Sequence, residues 1–197
     1  MLNTMIDLET LGTRPDAAIL SIAAVEFDPE TRQLGREFYE IVDLASSMRT
    51  GGTVDASTIL WWMKQSNEAR GEFERAGRDM AHVLYLFSGW LRQKFGESVR
   101  IWGNGADFDN VILRSAYTRL GLQAPWSHRQ NRCFRTVRNL FPPVEIAVED
   151  GVKHNALADA KYQARYLCEV LRAQLKPKKK KVIQEAPNAS DAFRSMF

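Results

Sequence analysis

Cysteine is nearly missing from this 197-residue chain, and Cys133 and Cys168 are too few and too isolated for a disulfide framework or a CxxC zinc site. Both read as buried thiols of a reducing cytoplasm. No apolar run approaches the ~18 residues of a membrane span, so no membrane association is expected. The stretch Met1–Asp7 has neither the basic start nor the small-residue cleavage site of a signal peptide, which makes a cytoplasmic location the expectation. There is no internal repeat. Histidine is scarce at three, and His82 and His128 read as ordinary structural or solvated side chains. A broad basic face is also missing. Residues 176–197 hold six basic against two acidic residues, which leaves 21 basic and 22 acidic in residues 1–175. Any polyanion must therefore meet the body of the chain at a local site.

What is present is a soluble globular composition, 45% hydrophobic and 26% charged, with length for one domain over residues 1–175. The remainder, 176–197, is a basic tail. It opens on Lys176-Pro177-Lys178-Lys179-Lys180-Lys181, a like-charge run that favours disorder.

Three strands open the chain. Leu2–Asp7 is a short apolar run ending on a carboxylate. Ala17–Phe27 is apolar and closes on the turn Asp28-Pro29-Glu30-Thr31, and Glu37–Val42 alternates. Short turns between them predict an antiparallel meander. The period then becomes helical. Asp55-Ala56-Ser57 can cap a helix through Lys64, Ser66-Asn67-Glu68 can start another, and Arg78–Phe95 is amphipathic. Val99–Trp102 reads as a strand and Asp107–Leu120 as a helix stopped by Gly121. Residues 121–153 look irregular, with one strand or turn near Cys133–Val137, and Ala156–Leu175 is a strong final helix. The expected class is α/β, with a central mixed sheet opened by a three-stranded antiparallel meander and flanked by helices.

Three carboxylate-bearing segments stand out. In Asp7-Leu8-Glu9, positions i and i+2 of a strand share a face, so two negative groups would lie side by side. A divalent cation would compensate both; equally, the strand could end at Asp7 and both could reach water. Gly103-Asn104-Gly105-Ala106-Asp107-Phe108-Asp109 falls at a strand–helix junction, the usual place for a site in an open α/β sheet. There Asp107 could cap the helix, with Asp109 in its first turn. In His154-Asn155-Ala156-Leu157-Ala158-Asp159, five positions place His154 about 140° around a helix from Asp159. His154 is therefore expected on the preceding loop, with Asn155 as N-cap.

DxE on a first strand, FD at a later strand–helix junction and HxxxxD opening the last helix resemble the DEDDh 3′–5′ exonuclease family, within the RNase H-like, RNase T-like superfamily. The matching residues are Asp7 and Glu9, Asp109 after Phe108, then His154 and Asp159. Asp7-Leu8-Glu9-Thr10-Leu11-Gly12, Ser57–Trp62 and Gln65–Arg70 look like the phage DexA-type exonucleases and a related mycobacterial exoribonuclease domain. The resemblance implies an RNase H-like fold and catalytic residues Asp7, Glu9, Asp109, His154 and Asp159. It implies two ions, Mg²⁺ or Mn²⁺, held by the four carboxylates, with His154 as the base near neutral pH. It also implies a nucleic-acid partner with a free 3′ end and a nucleoside 5′-monophosphate product. Thr10 and Leu11 occupy the positions that meet the terminal nucleotide in the family, and Asn104 and Phe108 join them as expected substrate contacts. Trp61 and Trp62 are candidates for base stacking, although consecutive helical residues cannot share a face and one should be core.

Single-stranded DNA or 3′ overhangs are the expected substrates. RNA 3′ ends are the alternative, and a catalytically silent nucleic-acid-binding regulator is a further one. A protein partner for the tail and a homodimer are left open.

Overall fold

A computed structural model of the chain describes residues 3–95, 99–146 and 154–175. The tail 176–197, with its expected disorder and the protein partner left open for it, lies outside the described residues, as does Leu2.

A five-stranded sheet forms the centre, in the order β3-β2-β1-β4-β5. Strands β1 (Asn3–Thr10), β2 (Ile19–Phe27) and β3 (Leu34–Ile41) form the expected antiparallel meander. Beside β1 run β4 (Arg100–Gly103) and β5 (Asn131–Cys133), both parallel, so the sheet is mixed. The turn after β2 is built by Asp28, whose Oδ1 accepts from Glu30 N–H at 2.8 Å, with Arg32 in the left-handed region (φ 64). Strand β1 runs past Asp7 to Thr10, so Asp7 and Glu9 both stand within the sheet.

Seven α-helices are described: α1 (Leu44–Arg49), α2 (Ala56–Trp62), α3 (Asn67–Arg70), α4 (Met80–Phe95), α5 (Asp109–Arg119), α6 (Phe134–Leu140) and α7 (Ala156–Leu175). Alternation along β1 divides the core. Ile6 and Leu8 pack with Val83, Leu84 and Phe87 of α4 and Ile112 and Leu113 of α5. Met5 points to the other face, where Phe134 of α6 and Ala160, Ala164 and Leu167 of α7 cover the sheet.

Several local expectations are corrected. Helix α2 stops at Trp62, and Asp55 makes no capping bond because its Oδ2 accepts Thr13 N–H at 3.1 Å instead. The N-cap of α5 is Phe108; Asp107 is exposed one residue earlier. The region read as irregular holds both β5 and α6. The Arg-rich helix was masked because only Phe134 of its seven residues is buried, which leaves no apolar period to detect. Cys133 is half-buried rather than buried, and its Sγ accepts Thr136 N–H as the cap of α6. Cys168 is buried as expected, with its thiol pushed up to about 12 by burial. His82 and His128 are exposed. No helix among the described residues is long and apolar enough to cross a membrane.

Candidate active site

Because i and i+2 of a strand share a face, Asp7 and Glu9 lie on the side of β1 that α7 covers. Helix α7 brings Asp159 in its first turn and Gln163 one turn later on the same stripe. Small Ala160 and Ala164, both fully buried, let that stripe approach the sheet. The result is a cluster. One carboxylate oxygen from each of Asp7, Glu9 and Asp159 lies within 4.8 Å of the others.

Asp109 reaches the same place from the other side of β1. Strand β4 stops at Gly103, leaving the Leu8 N–H of β1 with no strand partner there, and Asp109 Oδ1 accepts it at 3.2 Å. Its Oδ2 accepts Asn104 N–H at 2.7 Å. The turn needs glycine at 103, since a Cβ would collide with the side-chain oxygen of Asn110 and sit 3.0 Å from Asp109 Cβ. Asp109 is thus buried and held by two backbone donors behind the three clustered carboxylates.

His154 sits on the turn before α7, as the helical angle required, in the left-handed region at φ 64. Its backbone N–H donates to Asp159 Oδ2 at 3.2 Å, and Asn155 Oδ1 caps α7 by accepting Ala158 N–H at 3.1 Å. The imidazole packs edge-on against Trp61, with ring centroids 4.8 Å apart, and lies 6.2 Å from Trp62.

The electrostatics follow from crowding. Burial first, then the charges of Asp109, Glu9 and Asp159, push the Asp7 carboxyl well above the usual carboxylate range. The Gln163 amide opposes this by donating Nε2–H to Asp7 Oδ1 at 2.7 Å. Burial raises Asp109 to about 6, against the backbone donors of Asn104 and Leu8 and the charge of Arg135. A cation is what such a site needs. All the donors are carboxylate oxygens, the hard set that suits small divalent ions, so the residues present fit a metal.

Gln163 was not expected from the sequence. It is 5% exposed, and its Oε1 is buried with no hydrogen-bond partner. The available signal was its i+4 position from Asp159.

The two tryptophans divide as geometry demanded. Trp62 is buried and donates Nε1–H to the Thr10 carbonyl at 2.9 Å, while Trp61 is 42% exposed. A cavity of about 420 Å³ is lined by Leu8, Glu9, Thr10, Trp61, Trp62 and Phe108. The Thr10 hydroxyl is turned inward, donating to the Gly12 carbonyl at 2.7 Å. Leu11 is half-buried against Leu20, Trp62 and Ala69 and faces a second cavity of about 510 Å³, which shares Glu9 and Trp62 and includes Phe73, Arg70 and Arg75. Asn104 is half-buried and tied to Asp109 through its backbone.

The chain is similar to known proteins in sequence and in fold. Exodeoxyribonuclease of Enterobacteria phage T4 is 30% identical over 124 residues, covering 57% of this chain and 54% of that protein. A lipase chaperone of Chromobacterium violaceum is 25% identical over 173 residues, covering 79% of this chain and 57% of its own length. The chain thus spans little more than half the length of these curated relatives. Among solved structures, the nuclease domain of 3′hExo, a DEDDh family member bound to rAMP, superposes with a TM-score of 0.61 at 15% identity, covering 87% of this chain and 92% of that one. E. coli exonuclease I in complex with a 5cy-dT13 oligonucleotide gives 0.61 at 16% identity, covering 88% of this chain and 41% of that one. The mixed sheet with flanking helices is therefore the RNase H-like exonuclease fold. With its sequence matched over residues 2–171, the chain belongs to the family described as the 3′-5′ exoribonuclease Rv2179c-like domain.

Proposed function

We propose that this chain is a 3′–5′ exonuclease that hydrolyses the last phosphodiester of a nucleic-acid strand and releases a nucleoside 5′-monophosphate. One observation carries the reading: Asp7 and Glu9 of β1 and Asp159 of α7, distant from them in sequence, present oxygens within 4.8 Å of one another beside a cavity walled by Trp61 and Phe108. Asp7, Glu9 and Asp159 would hold two ions, Mg²⁺ or Mn²⁺, with Asp109 contributing directly or through water. Bound there, the ions supply charge neutralisation and polarisation of the phosphodiester.

The protein's own groups do the rest. An imidazole nitrogen of His154 takes a proton from the attacking water, whose oxygen bonds to phosphorus as the P–O3′ bond breaks; the departing O3′ takes a proton from solvent to become the new 3′-hydroxyl of the shortened strand. Trp61 and Phe108 hold the terminal base by stacking, with Thr10 and Leu11 shaping the walls around it. Trp62 is the support beneath them, fixed through the Thr10 carbonyl. Asn104 positions Asp109 through its backbone N–H.

Single-stranded DNA and 3′ overhangs are the first reading of the substrate, of which the exodeoxyribonuclease relative supports the choice of DNA. RNA is the second reading, favoured by the description of the family matched over residues 2–171. The lipase chaperone likeness gains no such support, since assisting a lipase to fold does not require clustered carboxylates. Matched 5′-labelled DNA and RNA oligonucleotides, incubated with Mg²⁺, test both. Stepwise shortening from the 3′ end with 5′-monophosphate release is expected. Internal cuts, or undiminished activity in Asp7→Ala, would overturn the assignment.

A further inference from the structure

Residues 110–144 contain no Asp or Glu, the longest such stretch in the chain, and six Arg. Outside this stretch, residues 1–175 hold 15 basic against 22 acidic residues. Two of the six are structural. Arg114 donates to the Trp126 carbonyl at 3.0 Å, and Arg119 donates to the Thr50 carbonyl at 3.1 Å. The other four, Arg129, Arg132, Arg135 and Arg138, recur at every third residue from the 3-10 turn before β5, through β5 and into α6. Arg129, Arg135 and Arg138 are exposed, and Arg132 folds half-buried onto the carbonyls of Arg129 and Asn131. Among the described residues, no carboxylate forms an ion pair with any of them.

Their place in the fold is specific. Cys133, the last residue of β5, pairs with Gly103, the last of β4, so α6 starts at the end of the sheet that carries the carboxylates. The Arg135 guanidinium carbon lies 3.7 Å from where a Cβ on Gly105 would stand, and Phe108 flanks the same glycine. Phe108 also walls the cavity containing Trp61. Phe108 therefore borders both that cavity and the glycine against which the Arg135 guanidinium lies. Arg138 lies 5.8 Å over the Tyr166 ring, which keeps the guanidinium on the surface.

Unpaired like charges in a row repel one another unless an anion with repeated charge lies along them, and guanidinium pairs with phosphate in a bidentate manner. We propose that Arg129, Arg132, Arg135 and Arg138 form a track for the sugar–phosphate backbone of the strand on the 5′ side of the cleaved nucleotide. This rests on the exonuclease reading. With the terminal base at Trp61, the rest of the strand leaves past Phe108 along α6, and the track makes the protein favour longer single strands over dinucleotides.

The test measures binding apart from cleavage, with fluorescein-labelled DNA and RNA of two and twelve nucleotides carrying a phosphorothioate at the last linkage. The variants are Arg135→Gln, the double Arg129→Gln/Arg138→Gln, and Arg172→Gln as a distant control; Arg132 stays because it braces the local backbone. The double variant should bind the twelve-mer about 10-fold more weakly, with the slope of log affinity against log salt reduced by about 0.7 per arginine removed. The preference for the twelve-mer over the dinucleotide should shrink, and melting temperature and the control should match the unmodified protein. Unchanged twelve-mer affinity and salt slope would overturn the track. So would an equal loss for both lengths, or competition by an acidic peptide as strong as by the oligonucleotide. Failure of the unmodified protein to release 5′-monophosphates counts against the exonuclease reading alone, because length-dependent binding still decides the track.

Discussion

Gln163 Nε2–H donates to Asp7 Oδ1 at 2.7 Å, on a carboxylate otherwise surrounded by the like charges of Asp109, Glu9 and Asp159. The donor holds one oxygen of Asp7 in a fixed direction, as the outer partners of metal-binding carboxylates do. Replacement by Met keeps the volume and removes the donor. Gln163→Met should weaken Mn²⁺ binding about 10-fold by calorimetry. The melting temperature of the metal-free protein should move little, because the unpartnered Oε1 is removed with the donor. Intact Mn²⁺ affinity would show that the bond only packs the helix.

Stability without metal should fall as pH rises through the range where Asp109 titrates. Its carboxyl titrates at about 6 when folded and at ~4 when unfolded, so the folded state binds the proton more tightly in between. The sign of linkage then makes this stability present below ~4 and lost as pH rises through 6. Asp7, also raised, acts in the same direction. In EDTA, melting should occur at a temperature higher by about 5 °C at pH 5.5 than at pH 7.5. Mg²⁺ at pH 7.5 should recover the difference; no recovery would argue against a cation among these carboxylates.

Two variants at His154 separate the ring from the backbone. The residue holds φ 64 and its N–H bonds Asp159, so Asn, which tolerates that region, preserves the turn while removing the imidazole. His154→Asn should lower kcat by ~10²–10⁴-fold. Mn²⁺ affinity should remain near that of the unmodified protein. Loss of the metal together with activity would reassign His154 from proton acceptor to ligand support.

Trp61 and Trp62 should fail differently. Trp61→Ala removes an exposed ring and should weaken oligonucleotide binding by ~1–3 kcal/mol with the melting temperature nearly unchanged. Trp62→Phe removes the Nε1–H bond to Thr10 and should cost ~1 kcal/mol of stability in chemical denaturation. Equal effects of the two on melting would contradict the division of roles.

Much of the site is legible in sequence because its parts obey short-range periodicities. Two-residue spacing in a strand fixes Asp7 and Glu9 on one face, and the helical angle removes His154 from the face of Asp159. The meander and α7 are equally legible, since their apolar patterns are long. Helix α6 is not, because it buries one residue of seven and its arginines mask any period. Gln163 offers only its position one turn beyond Asp159, which distinguishes it from any other helical polar residue only once the sheet lies beneath it.

The sequence by itself determined the residue types, their order and the faces on which they stand, because those depend on backbone geometry within one element. Only tertiary structure decided which faces meet. It brought Asp159 to Asp7 across 152 positions, set Asp109 under the Leu8 N–H that β4 leaves unpaired, and put the exposed Arg135 near enough for its charge to act on Asp109. The reason is burial: alternation along β1 must hide Met5 under α7 and Ile6 under α4 and α5 at once. That requirement fixes the helices on their faces and, through them, the site.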